Sequence, residues 1–495
     1  MNKVIVALST NKHPHHRLEL EVIEDLARDN DVTVLVCNGE LPSCWGNPTK
    51  LLSICQKCIS TRKHNLDLLS RKVNIVSYGD CGYLQQASSI KSHLATLSTF
   101  DEIRNFQHDK FFLGVAAMST VISCLRDPYP LESDENLDLA RRSLLASVIA
   151  YVSVYNLLNN VNKVDAVYVV NGRLAELAGV FFASQSCQID TYTFEYVYAD
   201  TRWSYFKNHR IHDLGAMKEV IRDYFSNNWT PKGMIATQLY YSSRLSGTVL
   251  DTYTGRQKLF DFKMIDETMN NIAIFISSED EYASIGPEWA NPIFINQYEG
   301  LKYIISHISS CNSDAHIYIR MHPSLIDVEN SYVKEFHSLT SEHVTVIAPD
   351  SEVSSYILGL SCSTIVTFGS EIGTEFAMLG RRVIQVGRSL FEDSGIVCLP
   401  TTCDQLDAEL KNKQTSFSVA ELARMYGFWR ATYGRDHYHF CENKVATTRI
   451  KNVAISTMQN RLITDIIRFK NINVRRFLYK VVDACFAFVH LLWHP

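Results

Sequence analysis

The chain of 495 residues lacks several features that would decide its class at once. It has no run of about 20 apolar residues, so a membrane-spanning helix is not predicted. The formal net charge is −5, and there is no overall basic excess to favour nucleic acid as a partner. Internal repeats and low-complexity linkers are also missing, which argues against solenoid architectures. The class that remains is a folded protein long enough for two or three domains.

The N-terminal apolar segment and the cysteines both bear on the compartment. The segment Val4–Leu8 is too short for a secretory signal peptide and predicts a buried first strand, so we expect a cytoplasmic protein. Most of the thirteen cysteines are then expected to be reduced thiols. Cys55 and Cys58 have the spacing of a zinc knuckle, whereas Cys37 and Cys44 do not. A structural zinc site and a group of partly buried free thiols both stay open.

Strand and helix signals alternate along most of the chain, which predicts an α/β fold with doubly wound parallel sheets. The strand at 3–8, the helix near 18–28 and the strand at 32–37 open one such unit, and a fresh βα series begins at 271. The segment 38–65 has no clear period and is predicted to be a loop insertion that carries the cysteine cluster.

We therefore predict two Rossmann-like domains facing a cleft. The expected boundaries are an N-terminal domain over 1–255, a C-terminal domain over 265–430, and a crossing helix with a basic amphipathic tail over 431–495. Within that tail, six Lys and Arg residues interleave with aliphatic and aromatic residues over 461–493. Such a helix suits either a membrane interface or packing against the protein's own domains, and both alternatives stay open.

The most informative stretch is 315–388, where polar residues stand at the ends of predicted strands. Arg320 and His322 follow one apolar run, and Ser370, Gly373 and Glu375 follow the next, at the predicted start of a helix. Ligands of open parallel sheets bind at the carboxyl ends of the strands, and helix N-termini attract anions. The pattern predicts a site for the phosphate or diphosphate of a nucleotide.

Taken in order, four short motifs resemble those of GT-B glycosyltransferases of the bacterial surface-polysaccharide type, which build capsule, O-antigen and lipopolysaccharide. The motifs are Asn171-Gly172-Arg173, Ser277-Ser278-Glu279-Asp280-Glu281, Arg320-Met321-His322-Pro323 and Gly369-Ser370-Glu371-Ile372-Gly373-Thr374-Glu375. The resemblance implies a nucleotide-sugar donor on the C-terminal domain and an acceptor on the N-terminal domain. The acceptor would be a glycan or a lipid-linked glycan. It also implies no cofactor and no obligatory metal, and the His-Pro pair makes a CMP-sugar one candidate donor.

The resemblance further implies a role for each candidate site residue. The predicted donor-binding residues are Ser278, Arg320, His322, Ser370, Gly373 and Glu375. Asn171 and Arg173 are predicted to shape the acceptor side. Transfer with inversion needs a base for the acceptor hydroxyl, and we expect Glu195, with His16 as its rival and with His13 and His15 in the same loop as further candidates.

Three rival functions stay open at this point. A CDP-alditol phosphotransferase of the teichoic-acid type and a sugar-nucleotide epimerase share the two-domain fold. A non-enzymatic nucleotide-binding scaffold would keep the anion site and lack a base. For the enzyme, a position on the inner membrane surface is expected if the basic tail contacts lipid.

Overall fold

A computed structural model of the chain describes residues 1–440 apart from 10, 11, 13, 162, 199–201, 246–256, 258–264, 266–268, 313 and 413–419. The strands of the described residues are β1 (Asn2–Ala7), β2 (Asn30–Val36), β3 (Asn74–Ser77), β4 (Ala166–Val170), β5 (Asp190–Tyr198), β6 (Arg202–Lys207), β7 (Asn270–Phe275), β8 (Ala315–Arg320), β9 (Val344–Ile347), β10 (Thr364–Thr367), β11 (Val383–Gln385) and β12 (Arg435–Asp436).

Helices connect these strands in both halves of the chain. They are α1 (His15–Leu26), α2 (Leu52–Leu66), α3 (Leu84–Leu94), α4 (Phe100–Arg104), α5 (Leu113–Leu125), α6 (Asp134–Asn160), α7 (Ala175–Ser186), α8 (Leu214–Asn228), α9 (Pro231–Leu245), α10 (Glu279–Ile285), α11 (Gln297–Cys311), α12 (Ser331–His337), α13 (Ser355–Leu360), α14 (Ile372–Met378), α15 (Cys403–Lys411) and α16 (Ala420–Thr432).

Two separate sheets organise the described chain. The first has the strand order β12-β6-β5-β4-β1-β2-β3, and the second has the order β11-β10-β7-β8-β9. The neighbours from β3 to β5 are parallel, β6 and β12 add antiparallel edges, and the second sheet is parallel throughout. Both sheets therefore contain the Rossmann order, in which the first strand stands beside the fourth. The predicted α/β fold class with two Rossmann-like domains is confirmed.

Apolar strands buried on both faces explain why these sheets form. Residues Val4–Ala7 of β1 and Ile272–Phe275 of β7 are all buried, as continuous apolar runs are in parallel sheets covered by helices. The helices α6 and α7 pack closely together on the first sheet. Each sheet consequently has its own apolar core.

The chain returns to the first sheet after it has completed the second. Met217 and Ile221 of α8 pack with Tyr426 and Trp429 of α16 in an apolar cluster that contains residues of both sheets. Directly after α16, β12 pairs with β6 of the first sheet. The C-terminal part of the described chain therefore ties the two sheets together.

None of the helices in the described ranges is both long and apolar enough to cross a membrane. The predicted basic amphipathic tail at 461–493 lies outside the described residues.

Candidate active site between the two sheets

Each sheet has a point at which the strand order reverses, and several of the predicted site residues follow the strands at these points. In the first sheet this point lies between β1 and β4, and in the second it lies between β7 and β10. The segment after β1 leads to His15, and β4 runs directly into Asn171. The segments after β7 and β10 begin at Ile276 and Phe368 and carry Ser278 and Ser370. Such switch points form the ligand crevices of open parallel sheets.

The imidazole of His15 is paired with the carboxylate of Glu195 at this edge of the first sheet. Nε2 of His15 lies 3.2 Å from Oε1 of Glu195, and the two side chains are 30% and 10% exposed. The His15 ring stands edge-on to Trp45 and Tyr196, with centroid distances of 6.2 Å and 6.1 Å. The ring is therefore fixed in orientation, with Nε2 beside Glu195, Nδ1 buried and part of the side chain exposed.

Two further donors hold the Glu195 carboxylate. The amide of Asn171 donates to Oε2 over 2.8 Å, and the backbone N–H of Tyr196 donates to Oε1 over 2.9 Å. Burial would raise the pKa of Glu195, but the hydrogen bond and charge of His15, together with Asn171 and the Tyr196 amide, hold that pKa below its usual value. Glu195 is consequently an ionised, oriented partner for the imidazole.

Asn171 reaches Glu195 because of an unusual backbone conformation. Its φ is +60°, a left-handed value that Asn tolerates better than most residues. The same amide nitrogen lies 3.2 Å from Nε2 of His212. Burial, with the nearby charge of Arg173 next in importance, lowers the pKa of His212 to about 3, so this second histidine is neutral. Asn171 thus connects the carboxylate to a buried neutral imidazole.

His16, the rival base in the sequence analysis, faces the other way. It is buried, and its Nδ1 lies 3.1 Å from Oε2 of Glu19. The same Glu19 carboxylate accepts hydrogen bonds from the backbone N–H and the hydroxyl of Ser9. His16 therefore braces the segment after β1, and the adjacent His15 is the histidine at the crevice. His13 lies outside the described residues.

Arg173, predicted on the acceptor side, ties the two domains together. It is half-buried, and its Nη1 donates to the hydroxyls of Ser119 and Ser284 over 2.7 Å each and to Ser123 over 3.3 Å. Ser119 and Ser123 belong to α5, whereas Ser284 belongs to α10, which follows β7. The contacts of Arg173 are those of an interdomain tie.

Ser278, predicted to bind the donor, belongs to a second interdomain network. Arg126 donates from Nε to Asp280 over 2.5 Å and from Nη2 to the Ser278 hydroxyl over 3.3 Å. The Ser278 hydroxyl also donates to Asp280 over 2.6 Å. Nearby, Tyr129 donates to Glu279 over 2.9 Å, and burial raises the pKa of Glu279 to about 7. This acidic motif therefore serves the contact between domains.

Arg320 and Glu375 are both used inside the second domain. The Arg320 guanidinium donates to the carbonyl oxygens of Ala348 and Ser351 over 2.6 Å and 3.0 Å. Glu375 is buried, accepts a hydrogen bond of 2.7 Å from the Tyr356 hydroxyl, and is ion-paired with Arg244 of α9. Both side chains therefore have partners within the second domain, and their donor-binding roles stay predictions.

The remaining donor-side candidates differ in exposure. His322 is partly exposed and caps a short helical turn, with its Nδ1 2.6 Å from the Ser324 hydroxyl. Ser370 is also partly exposed, whereas Gly373 is buried within α14. The glycine that the backbone requires here is Gly369, whose φ is +92° and whose Cβ, if present, would collide with the Arg388 carbonyl. His322 and Ser370 are the predicted donor residues that stay accessible.

One arginine that the sequence analysis overlooked joins the two strand edges. Arg430 of α16 donates from Nη2 to Glu371, the residue after Ser370, over 3.2 Å. Its Nη1 donates to the carbonyl of Val197, two residues after Glu195. Because one side chain touches the segment after β10 and the end of β5, the carboxyl edges of the two sheets face each other. The fold is of the GT-B type.

Comparison of this chain with known proteins finds similarity to solved structures only. No family model matches the chain, and no curated protein sequence is detectably similar to it. Among solved structures, Thermosulfurimonas dismutans KpsC, a beta Kdo 2,4 transferase, is 14% identical with a TM-score of 0.39, over 53% of this chain and 79% of that one.

Two further structures are similar over most of their length. Staphylococcus aureus MnaA, solved with UDP, is 11% identical with a TM-score of 0.29, over 92% of this chain and 97% of that one. The UDP-GlcNAc 2-epimerase of Neisseria meningitidis, bound to UDP-GlcNAc, is 11% identical with a TM-score of 0.27, over 91% of this chain and 100% of that one. At such scores these likenesses carry no functional argument, and the fold is established by the sheet topology itself.

The cysteine cluster and the acidic motif both carry side chains of the types that bind metal ions. Within the described ranges, no group of three or more His, Cys, Asp or Glu side chains is arranged to hold a metal ion. Cys37, Cys44, Cys55 and Cys58 are half-buried thiols that are not in disulfide bonds. Burial raises the pKa of Cys37 and raises that of Cys44 still further. Protonated thiols of this kind behave as small apolar groups.

Proposed function

We propose that the protein is a glycosyltransferase that moves a sugar from a nucleotide-sugar donor to a growing surface polysaccharide or lipid-linked glycan, without a catalytic metal. The observation that carries this proposal is the His15–Glu195 pair. It lies at the switch point of the first sheet, at the edge that faces the strand ends of the second. A non-enzymatic scaffold would have no use for an oriented imidazole–carboxylate pair in that place.

Within the pair, we assign the base to His15 and the orienting role to Glu195. The Glu195 carboxylate is nearly buried, already accepts three hydrogen bonds and has a lowered pKa, so it is a weak base. The His15 side chain is the more exposed partner, and an imidazole is basic near neutral pH. Because Nδ1 is buried, the nitrogen that we assign to accept the proton is Nε2. An ionised carboxylate beside the ring stabilises the imidazolium that forms when the ring takes up a proton.

The proposed transfer is a single displacement. The acceptor hydroxyl oxygen forms a bond to the anomeric carbon of the donor while the bond from that carbon to the phosphate oxygen breaks. The hydroxyl proton passes to His15, and the bonding electron pair leaves with the nucleotide phosphate. Because attack and departure occur on opposite faces of the sugar, the anomeric configuration inverts.

The donor phosphate is proposed to lie at the strand ends of the second sheet, near His322 and Ser370. Both are partly exposed, and both follow strands that neighbour β7. A hydroxyl and an imidazole can donate hydrogen bonds to a departing phosphate, which is how metal-independent sites stabilise leaving-group charge. Uridine and cytidine donors are both candidates, the latter because of the His-Pro pair.

Donor turnover by the purified full-length chain tests the proposal. The protein is incubated with a panel of UDP- and CMP-sugars, and slow hydrolysis of the donor is followed by chromatography of the released nucleotide. We expect one donor to be consumed, and we expect His15→Ala and Glu195→Gln each to lower the rate by roughly 10²–10⁴-fold, the usual contribution of general-base catalysis. His64→Ala is the matched control, because His64 is an exposed helical histidine of the same domain.

The products distinguish the rival functions. A phosphodiester product would identify an alditol phosphotransferase, and an isomerised free nucleotide sugar would identify an epimerase. If no donor is consumed, or if both variants at the pair turn over at the wild-type rate, the proposed function is wrong.

A further inference from the structure

A cavity that the proposed chemistry does not use opens beside the His15–Glu195 pair. The space that the centre of a water molecule can occupy in it is about 50 Å³. Its floor is formed where β1 and β2 end, at Leu8 and Cys37, and α2 covers it with Ile54 and Cys58. The cavity therefore stands at the ligand-binding edge of the first sheet, and its walls are mostly apolar side chains and thiols.

One buried carboxylate reaches this cavity without a full set of partners. Glu176, in the first turn of α7, is 3% exposed. Its Oε1 accepts a hydrogen bond of 3.4 Å from the backbone N–H of Trp45. Its Oε2 is buried and receives no hydrogen bond from another residue that the structure describes, and the carboxylate otherwise bonds to its own backbone N–H. Leaving a buried acceptor unsatisfied is costly, so the arrangement favours a ligand that brings a donor.

Trp45 connects this carboxylate to the proposed base. Its backbone N–H bonds to Glu176, while its ring stands edge-on to the ring of His15, with the centroids 6.2 Å apart. Trp45 therefore contacts both Glu176, which lines the cavity, and the ring of His15, the proposed base. A sugar whose hydroxyl is held at His15 could place a substituent of the same or the next residue in the cavity.

The lining selects the chemistry of that substituent. Ser9 and Asn47 also line the cavity, but their side chains already bond to Glu19 and to the backbone of Leu51. Unmodified sugar hydroxyls would therefore lose most of their hydrogen bonds there. An acylamido group suits the lining better, because it combines one N–H donor with an apolar methyl group.

We propose that this cavity binds an N-acylated amino sugar of the acceptor, with the amide N–H donated to Glu176 and the acyl methyl packed between Leu8 and Ile54. The proposal rests on the proposed glycosyltransferase function and specifies the acceptor that this function uses.

Binding of free monosaccharides to the full-length protein tests the proposal independently of turnover. N-acetylglucosamine and N-acetylgalactosamine are titrated by saturation-transfer NMR, with glucose, galactose and glucosamine as comparisons. We expect at least one N-acetyl sugar to bind with its methyl protons most strongly saturated, and the unacylated sugars to bind roughly tenfold or more weakly. The bound sugar should also slow alkylation of Cys55 and Cys58, which line the cavity, and leave exposed Cys311 unaffected.

Two variants test whether the sugar binds in this cavity. Glu176→Leu should lower the affinity for the N-acetyl sugar by roughly tenfold or more, because it removes the acceptor of the amide N–H. Glu135→Leu is the matched control, because Glu135 stands in the first turn of α6 but is exposed. If Glu176→Leu does not fold, as judged by circular dichroism, Ile54→Trp serves instead, because it fills the cavity from α2 and should abolish binding.

The outcomes separate this proposal from the proposed function. If the wild-type protein consumes a nucleotide sugar but binds N-acetyl and unacylated sugars equally, or binds neither, the cavity proposal is overturned while the glycosyltransferase stands. Preferential binding of an aliphatic alcohol such as decanol would likewise overturn it in favour of a lipid chain. If no donor is consumed but the N-acetyl sugar binds through Glu176, the function is wrong and the sugar site stands.

Discussion

The buried carboxyl group of Glu176 should make the stability of the first domain depend on pH in a direction opposite to that of most carboxylates. Burial raises the pKa of Glu176 from 4.5 to about 7 in the folded protein. Because the folded pKa lies above the unfolded one, the folded chain retains a proton between pH 4.5 and 7 that the unfolded chain releases. The stabilising contribution is thus fully present below pH 4.5 and is lost as pH rises toward 7.

The size of this effect follows from the shift. At about 1.4 kcal/mol for each pH unit, the displacement corresponds to roughly 3 kcal/mol of unfolding free energy. Glu176→Gln removes the titrating group and keeps its size, so the difference in stability between wild type and variant should change by this amount between pH 4.5 and 7 and then level off.

Urea unfolding followed by tryptophan fluorescence at several pH values between 4.5 and 8 measures this difference. Glu135→Gln is the control, because an exposed carboxylate should give a difference that is nearly independent of pH in this range. A flat difference for Glu176→Gln, or one that grows in the opposite direction, would refute the inference that the group is buried without adequate partners.

Two further predictions concern other parts of the molecule. Burial favours a raised pKa for Glu21, but the hydrogen bonds from His437 and from the amides of 438–440 outweigh it and lower that pKa to about 2. The stabilisation is then present above pH 4.5 and is lost as pH falls toward 2. Glu21→Gln should therefore make the free energy of unfolding less dependent on pH in this range, and it should speed hydrogen exchange of the 438–440 amides at neutral pH. Unchanged exchange would contradict the contact between α1 and this segment. His322→Ala should weaken binding of the donor's nucleotide product by about 1.5–3 kcal/mol in calorimetric titration while leaving the thermal midpoint nearly unchanged, and an unaltered affinity would reduce His322 to a turn residue.

Much of the fold could be predicted from the sequence because parallel strands are buried on both faces. Such strands must be apolar along their whole length, so β1, β4, β7 and β8 are visible as short apolar runs with polar residues at their carboxyl ends. The predicted fold class depends on this signal and on the regular alternation of strands with helices.

Two elements could not be predicted in the same way. The segment 38–65 was expected to be a loop, yet it contains α2, in which only Arg62 and Leu66 are buried. A helix that covers an open cavity buries too few apolar residues to show a helical period. The strand β6 mixes polar and aromatic residues, and it forms because it can pair with the edge of β5.

The candidate site, like the fold, could be predicted from the sequence only in part. Strand ends in the sequence placed Glu195, Asn171, His322 and Ser370 at the edges of sheets, because parallel strands end on the same side. Which charged side chains can still contact a ligand depends on partners elsewhere in the chain. Arg320 donates hydrogen bonds to the carbonyls of 348 and 351, and Glu375 is ion-paired with Arg244 and accepts a hydrogen bond from Tyr356.

The choice between His15 and His16 shows the limit most clearly. Neighbouring residues of a helix point in directions about 100° apart, so only one of the two can face the crevice, and nothing local says which. Tertiary structure decides between them. His16 is buried and contacts Glu19, whereas His15 contacts Glu195 at the edge of the sheet, and Glu195 is 180 positions away along the chain. The sequence by itself determined where the strands end and which polar residues stand there. Tertiary packing determined which of those residues stay accessible to a ligand, because a buried charge is stable only when it is paired or hydrogen-bonded within the protein.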